Sequence, residues 1–101
     1  MKVFIAQRMR GLSDQEIIDI RNKIIAKYRI TDVADNLFME DKYKVLSPVE
    51  LLGKSIQKLG ESDIMFAPIL DYPSEYPGVE SEIEIAKRYS IPVIFYYEDS
   101  L

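Results

Sequence analysis

Two periods organise the hydrophobic positions of this 101-residue chain. Residues 2–6 form a short apolar run, partly β-branched, that reads as a buried strand. After a turn at Arg10-Gly11-Leu12, the pattern Ser13-Asp14-Gln15-Glu16 is a capping box. Ile17, Ile18, Ile20, Arg21, Ile24, Ile25 and Tyr28 then continue at helical spacing. Residues 29–34 read as a second strand, followed by a polar and aromatic loop through Lys44 that has no clear period. Ser47-Pro48-Val49-Glu50 is a second capping box with proline at the first helical position. Leu52, Ser55, Ile56 and Leu59 give that helix an inward face up to Gly60. Residues 63–68 read as a third strand, and the stretch 69–77, which carries Pro73 and Pro77, as a loop. A further helix stops near Ser90, and residues 92–97 form the last strand. Strands alternating with helices predict one α/β domain over residues 1–101. Its parallel sheet of four to five strands is covered on both faces and linked by right-handed crossovers.

In such sheets ligands bind beyond the carboxyl ends of the strands, where the winding direction changes. Here that rim is expected to come from three loops, 7–12, 36–47 and 69–78. The helix leaving the third loop carries Gly-Val-Glu-Ser-Glu-Ile-Glu-Ile-Ala from Gly78 to Ala86. At about 100° per residue, Val79, Glu82, Ile83, Ala86 and Tyr89 share one face, while Glu80, Glu84, Lys87 and Arg88 lie on the other. Glu82 is therefore the glutamate that points inward. A carboxylate on a buried face must be paired, protonated or used, because an unpartnered buried charge is costly to desolvate. Two readings stay open on periodicity alone. Glu82 is a functional carboxylate, or it sits at the margin of the stripe and reaches solvent or caps a backbone amide.

Composition narrows the chemistry. The chain has no cysteine and no histidine, which removes thiolates, disulfides, imidazole metal sites and Ser-His triads. Acid-base or nucleophilic work then falls to carboxylates, tyrosines, lysines or hydroxyls, and neither a metal nor another cofactor is expected. A net charge of -4 argues against general nucleic-acid binding, which rests on basic surface. No apolar run approaches the roughly 20 residues of a membrane helix. The first apolar run ends too early, at Gln7-Arg8-Met9-Arg10, for a secretion signal, so a cytoplasmic protein is expected.

On the rim, Arg8, Arg10 and Gly11, with the free amides of the helix capped by Ser13, form a candidate anion site. The alternative is a solvated basic loop. Asp71, Tyr72 and Tyr76 precede Glu82 and could meet a sugar hydroxyl and a base, although turn-forming aspartate and loop-packing tyrosine are commoner. Tyr96 and Tyr97 are expected to cover the core or a subunit contact, and Lys54 to face solvent.

The run Val3-Phe4-Ile5-Ala6-Gln7-Arg8-Met9-Arg10-Gly11, together with the Gly78 to Ala86 motif, resembles the nucleoside 2-deoxyribosyltransferase-like superfamily. It looks closest to a small branch found in phages and bacteria. Leu52-Gly53-Lys54-Ser55 and Ser62-Asp63-Ile64 also fit. The resemblance implies a flavodoxin-like or Rossmann-like three-layer sandwich and a homo-oligomer whose sites are completed by neighbouring subunits. It also implies cleavage or exchange of the N-glycosidic bond of deoxynucleosides or their 5′-monophosphates. By motif position Glu82 is the nucleophile, four residues before the small residue Ala86. Arg10-Gly11 corresponds to the pair that helps hold a 5′-phosphate, with Arg8 beside it, and Ser55, Asp71, Tyr72 and Gly78 would line the substrate pocket. The resemblance also implies an acid that protonates the departing base, an aspartate eight residues before the leading aspartate of the third strand. Counting back from Asp63, that position holds Ser55, too weak an acid for the task. Two functions follow as expectations, a nucleoside- or nucleotide-cleaving or transferring enzyme and a non-catalytic module that binds or sequesters a nucleotide.

Overall fold

The computed structural model describes residues 1–35 and 45–101. Among them, β1 (Val3–Ile5), β2 (Ile64–Pro68) and β3 (Val93–Tyr96) form a parallel sheet in the order β1-β2-β3. Val3 lies opposite Ile64 in β2, and Met65 opposite Val93 in β3. Three helices accompany them: α1 (Asp14–Tyr28), α2 (Pro48–Gly60) and α3 (Pro77–Arg88). Both expected capping boxes form. The hydroxyls of Ser13 and Ser47 accept from the amides of Glu16 and Glu50, whose carboxylates reach back to the cap amides.

Because side chains alternate across a strand, the sheet has two apolar faces. Phe4, Ala6, Met65 and Ala67 pack with Leu59 of α2 and with Val79 and Ala86 of α3. Val3, Ile5, Phe66 and Tyr96 pack with Ile24 of α1. The protein is thus α/β, with α1 on one face of the sheet and α2 and α3 on the other.

The expected second strand, residues 29–34, is corrected to a single parallel bridge between Val33 and Val3, leaving three strands among the described residues rather than the four to five expected. Its first residues are consumed in ending α1, where Arg29 adopts φ 52 and the Ile30 amide bonds back to the Ile25 carbonyl. Its last positions yield to side chains. Val3 keeps two backbone bonds, its N–H to Asp32 O and its C=O from the Ala34 N–H. One step on, the Ile5 N–H instead donates to the Asp35 carboxylate at 2.9 Å, and the Ile5 carbonyl accepts from Arg21 at 3.1 Å. A second correction concerns Tyr89, expected on the inward face of α3. The helix ends at Arg88, and Tyr89 caps it at 75% exposure. The expected loop at residues 36–44 lies outside the described residues.

Candidate functional site

Beyond the carboxyl end of β1 opens a cleft of about 620 Å³. The chain leaving β1 forms its floor, the first half of α2 and the start of α3 its sides, and Arg10 and Glu75 stand at its mouth. The chain passes from β1 to Val33 on one side and later to β2 on the other, so the cleft opens where the winding direction reverses.

The floor is a network built on Arg21, which lies on the buried stripe of α1 between Ile17 and Ile24 at 2% exposure. Its Nε donates to Gln7 Oε1 at 2.8 Å and its Nη1 to the Asp35 carbonyl at 2.7 Å. Its Nη2 meets both the Ile5 carbonyl at 3.1 Å and Asp35 Oδ2 at 3.2 Å. Gln7 in turn donates through Nε2 to the Ile17 carbonyl at 3.0 Å. A buried guanidinium is tolerated only when its fork is paired in this manner.

Glu82 completes the set. With Val79 and Ala86 it forms the buried face of α3, is 8% exposed, and lines the cleft. Its carboxyl group makes no hydrogen bond to another described residue, and because no buried side-chain polar atom among the described residues lacks a partner, its oxygens open to the cleft. Burial, then the neighbouring charge of Asp35, push its pKa up to about 8 against the opposing pull of Arg21. Burial also raises Asp35, to about 6, while Arg21 and the Ile5 N–H hold it down. At neutral pH Asp35 is thus mainly the carboxylate partner of Arg21, while Glu82 mostly keeps its proton. A ligand that brings hydroxyl donors or positive charge against Glu82 shifts it toward the carboxylate.

The structure gathers only some of the other sequence candidates. Ser55 and Gly78 line the cleft, between walls made apolar by Pro48, Leu51, Leu52 and Val79. Arg10 is exposed at the mouth and donates to the Glu75 carbonyl at 3.3 Å. Arg8 also borders the cleft, but its Nε donates to both Glu98 oxygens at 2.8 and 2.9 Å. That bond strengthens its hold on its proton, with the Tyr76 hydroxyl beside it. Its charge is therefore shared with the C-terminal turn rather than left open to a ligand. Gly11 is not part of the cleft wall. It supplies the left-handed residue, φ 81, of the turn into α1. Asp71 and Tyr72 also lie elsewhere, around a smaller polar depression of about 220 Å³ that Arg8 and Glu98 border. Lys54 is exposed, Tyr96 is buried with its hydroxyl on the Ala6 carbonyl, and Tyr97 is exposed. Among the described residues no acidic group is arranged to hold a metal ion.

Gln7, Arg21 and Asp35 were not singled out from the sequence. Arg21 carried a usable signal, since a charged residue inside an isoleucine stripe invites the reasoning that selects Glu82. Asp35 is legible only once the strand before it is seen to stop at Val33. Comparison with family models, with curated proteins and with solved structures gives no match for this chain.

Proposed function

We propose that the protein is a flavodoxin-like domain whose cleft binds a nucleoside or its 5′-monophosphate, and that Glu82 acts on the N-glycosidic bond. The observation that carries this reading is Glu82 on the buried face of α3, lining the cleft with no hydrogen bond from its carboxyl group to another described residue. Apolar walls from α2 suit the faces of a base, the polar floor suits sugar hydroxyls, and Arg10 at the mouth suits a phosphate.

Glu82, once deprotonated, would attack the anomeric carbon as the carbon-nitrogen bond breaks. The bonding pair leaves with the base, which takes up a proton from water, and the sugar becomes a glycosyl ester. Water then cleaves the ester and restores the carboxylate.

One observation favours the second reading, binding without turnover. Ser55 faces the cleft in place of an acid, and Asp35 is committed to Arg21 and the Ile5 amide. The exposed Glu75 at the mouth is the remaining carboxyl group of the described lining.

Chromatographic detection of free base, after prolonged incubation with a panel of nucleosides and 5′-monophosphates, separates the two. Release that disappears in Glu82→Gln supports the enzyme. Absence of release, with saturable nucleotide binding that Glu82→Gln weakens, supports the binding module. Neither release nor binding rejects both.

We also infer a homo-oligomer. Its support is β3, which ends the sheet among the described residues and leaves Ile94 and Phe95 40% and 43% exposed on opposite sides of the strand.

A further inference from the structure

The buried polar and charged side chains among the described residues are Gln7, Arg21, Asp35 and Glu82, and all four line one cleft. Gln7, Arg21 and Asp35 are linked by hydrogen bonds, while Glu82 makes none to another described residue. Arg21 is a costly occupant for an isoleucine stripe, because a buried ion pair seldom stabilises more than a well-packed apolar residue of similar volume. Its presence therefore points to what it and Asp35 face.

We propose that Arg21 and Asp35 are a positioning pair for Glu82 and set, from the floor of the cleft, the charge that this carboxyl group carries. The inference rests on Glu82 being the working group of the site. Asp35 is fixed in place from two directions, by the Ile5 N–H on one oxygen and by Arg21 on the other. It holds a negative charge near Glu82 that favours the protonated acid, and Arg21 offsets it. Among the described residues, the other elements around Glu82 add little to this balance. The lining part of α2 is uncharged, and Arg8, Arg10, Glu75 and Tyr76 belong to the loops at the rim. In this arrangement a small move of the Arg21 fork away from Asp35 changes the proton affinity of Glu82 without any residue touching it.

The test is a carbon NMR titration of the glutamate carboxyl groups in the ligand-free protein, with the Glu82 resonance assigned by its loss in Glu82→Gln. Asp35→Asn keeps the shape of the side chain and removes its charge, so it lowers the Glu82 midpoint by about one pH unit. Arg21→Lys keeps a positive charge but loses the fork, leaves Asp35 less neutralised, and raises the midpoint. An unmoved midpoint in folded Asp35→Asn overturns the proposal. Should that variant fail to fold, an unmoved midpoint in Arg21→Lys does so. A merely structural role for the pair would alter stability and leave the midpoint in place. The titration needs no substrate, so a failure of the glycosidic reading and a failure of this one are separate results.

Discussion

Among the described residues, two buried carboxyl groups, Glu82 and Asp35, set how the ligand-free protein should respond to pH. The pKa of Glu82 is raised from an ordinary 4.5 to about 8, and that of Asp35 from 3.8 to about 6. Both groups bind a proton more tightly in the folded chain than in the unfolded one. The stability tied to each is fully present below its ordinary value and is lost as pH rises through the folded value. Thermal melts should therefore show stability falling between about pH 4 and pH 8, with the upper part of that window belonging to Glu82. Glu82→Gln resembles the protonated acid. It should leave stability below about pH 4 almost unchanged and raise it by about 4 kcal/mol at pH 8.5. Equal pH dependence in wild type and variant would show that Glu82 is solvated rather than buried. The inward face of α3 was legible from periodicity, because one carboxylate in the Gly78 to Ala86 motif shares the face of Val79 and Ala86. The pairing of Arg21 with Asp35 was not, because it joins residues from α1 and from beyond Val33.

At the scale of elements, local chemistry explains the helix starts. α1 and α2 each begin with a complete capping box, whereas α3 has no side-chain cap and starts at Pro77. Ser13→Ala and Ser47→Ala should each lower stability by about 1 kcal/mol. The two caps sit on helices on opposite faces of the sheet, so the double variant should lose the sum. Urea unfolding checks both statements, and a cap that proves neutral would mean that water replaces the serine hydroxyl. The missing second strand has the opposite origin. Its residues have strand-like composition, but the end of α1 takes Arg29 and Ile30. The Asp35 carboxylate and the Arg21 guanidinium take the N–H and C=O of Ile5 that would have continued the ladder. The cleft floor and the shortened sheet are thus one event, with cleft side chains standing in for strand backbone.

At the scale of the whole molecule, the C-terminal turn secures the rim. The Tyr96 hydroxyl bonds the Ala6 carbonyl at 2.8 Å, Glu98 grips Arg8, and Lys27 of α1 donates to the Ser100 carbonyl at 3.0 Å. These bonds tie the end of the chain to the strand that carries the cleft floor. Among the described residues β3 is an edge strand, with Ile94 and Phe95 partly exposed on its two sides and Tyr97 exposed just beyond it. Exposed apolar strand edges are ready partners for a second copy. Light scattering is therefore expected to report a species larger than the 11.7 kDa chain, and Phe95→Glu to shift it toward monomer. A wild-type protein that stays monomeric at working concentration would remove the oligomer from the proposal. Among the described residues no helix is long and apolar enough to cross a membrane.

Much of this protein is written in short-range pattern. Helical spacing and two capping boxes determined where α1 and α2 start, apolar runs located the three strands, and one inward glutamate marked α3. Each of these follows from neighbours within a turn or two of chain, which is the range over which side-chain periodicity and backbone capping act. Tertiary structure alone decided that residues 29–34 contribute one bridge, that Arg8 turns to Glu98, and that Asp71 and Tyr72 lie outside the cleft. It also decided that Arg21, Asp35 and Gln7 stand together beneath Glu82. These outcomes depend on which distant group reaches a given N–H, carbonyl or charge first. The Asp35 carboxylate competes with a strand backbone for Ile5 across 30 positions of chain, and no local pattern records the winner.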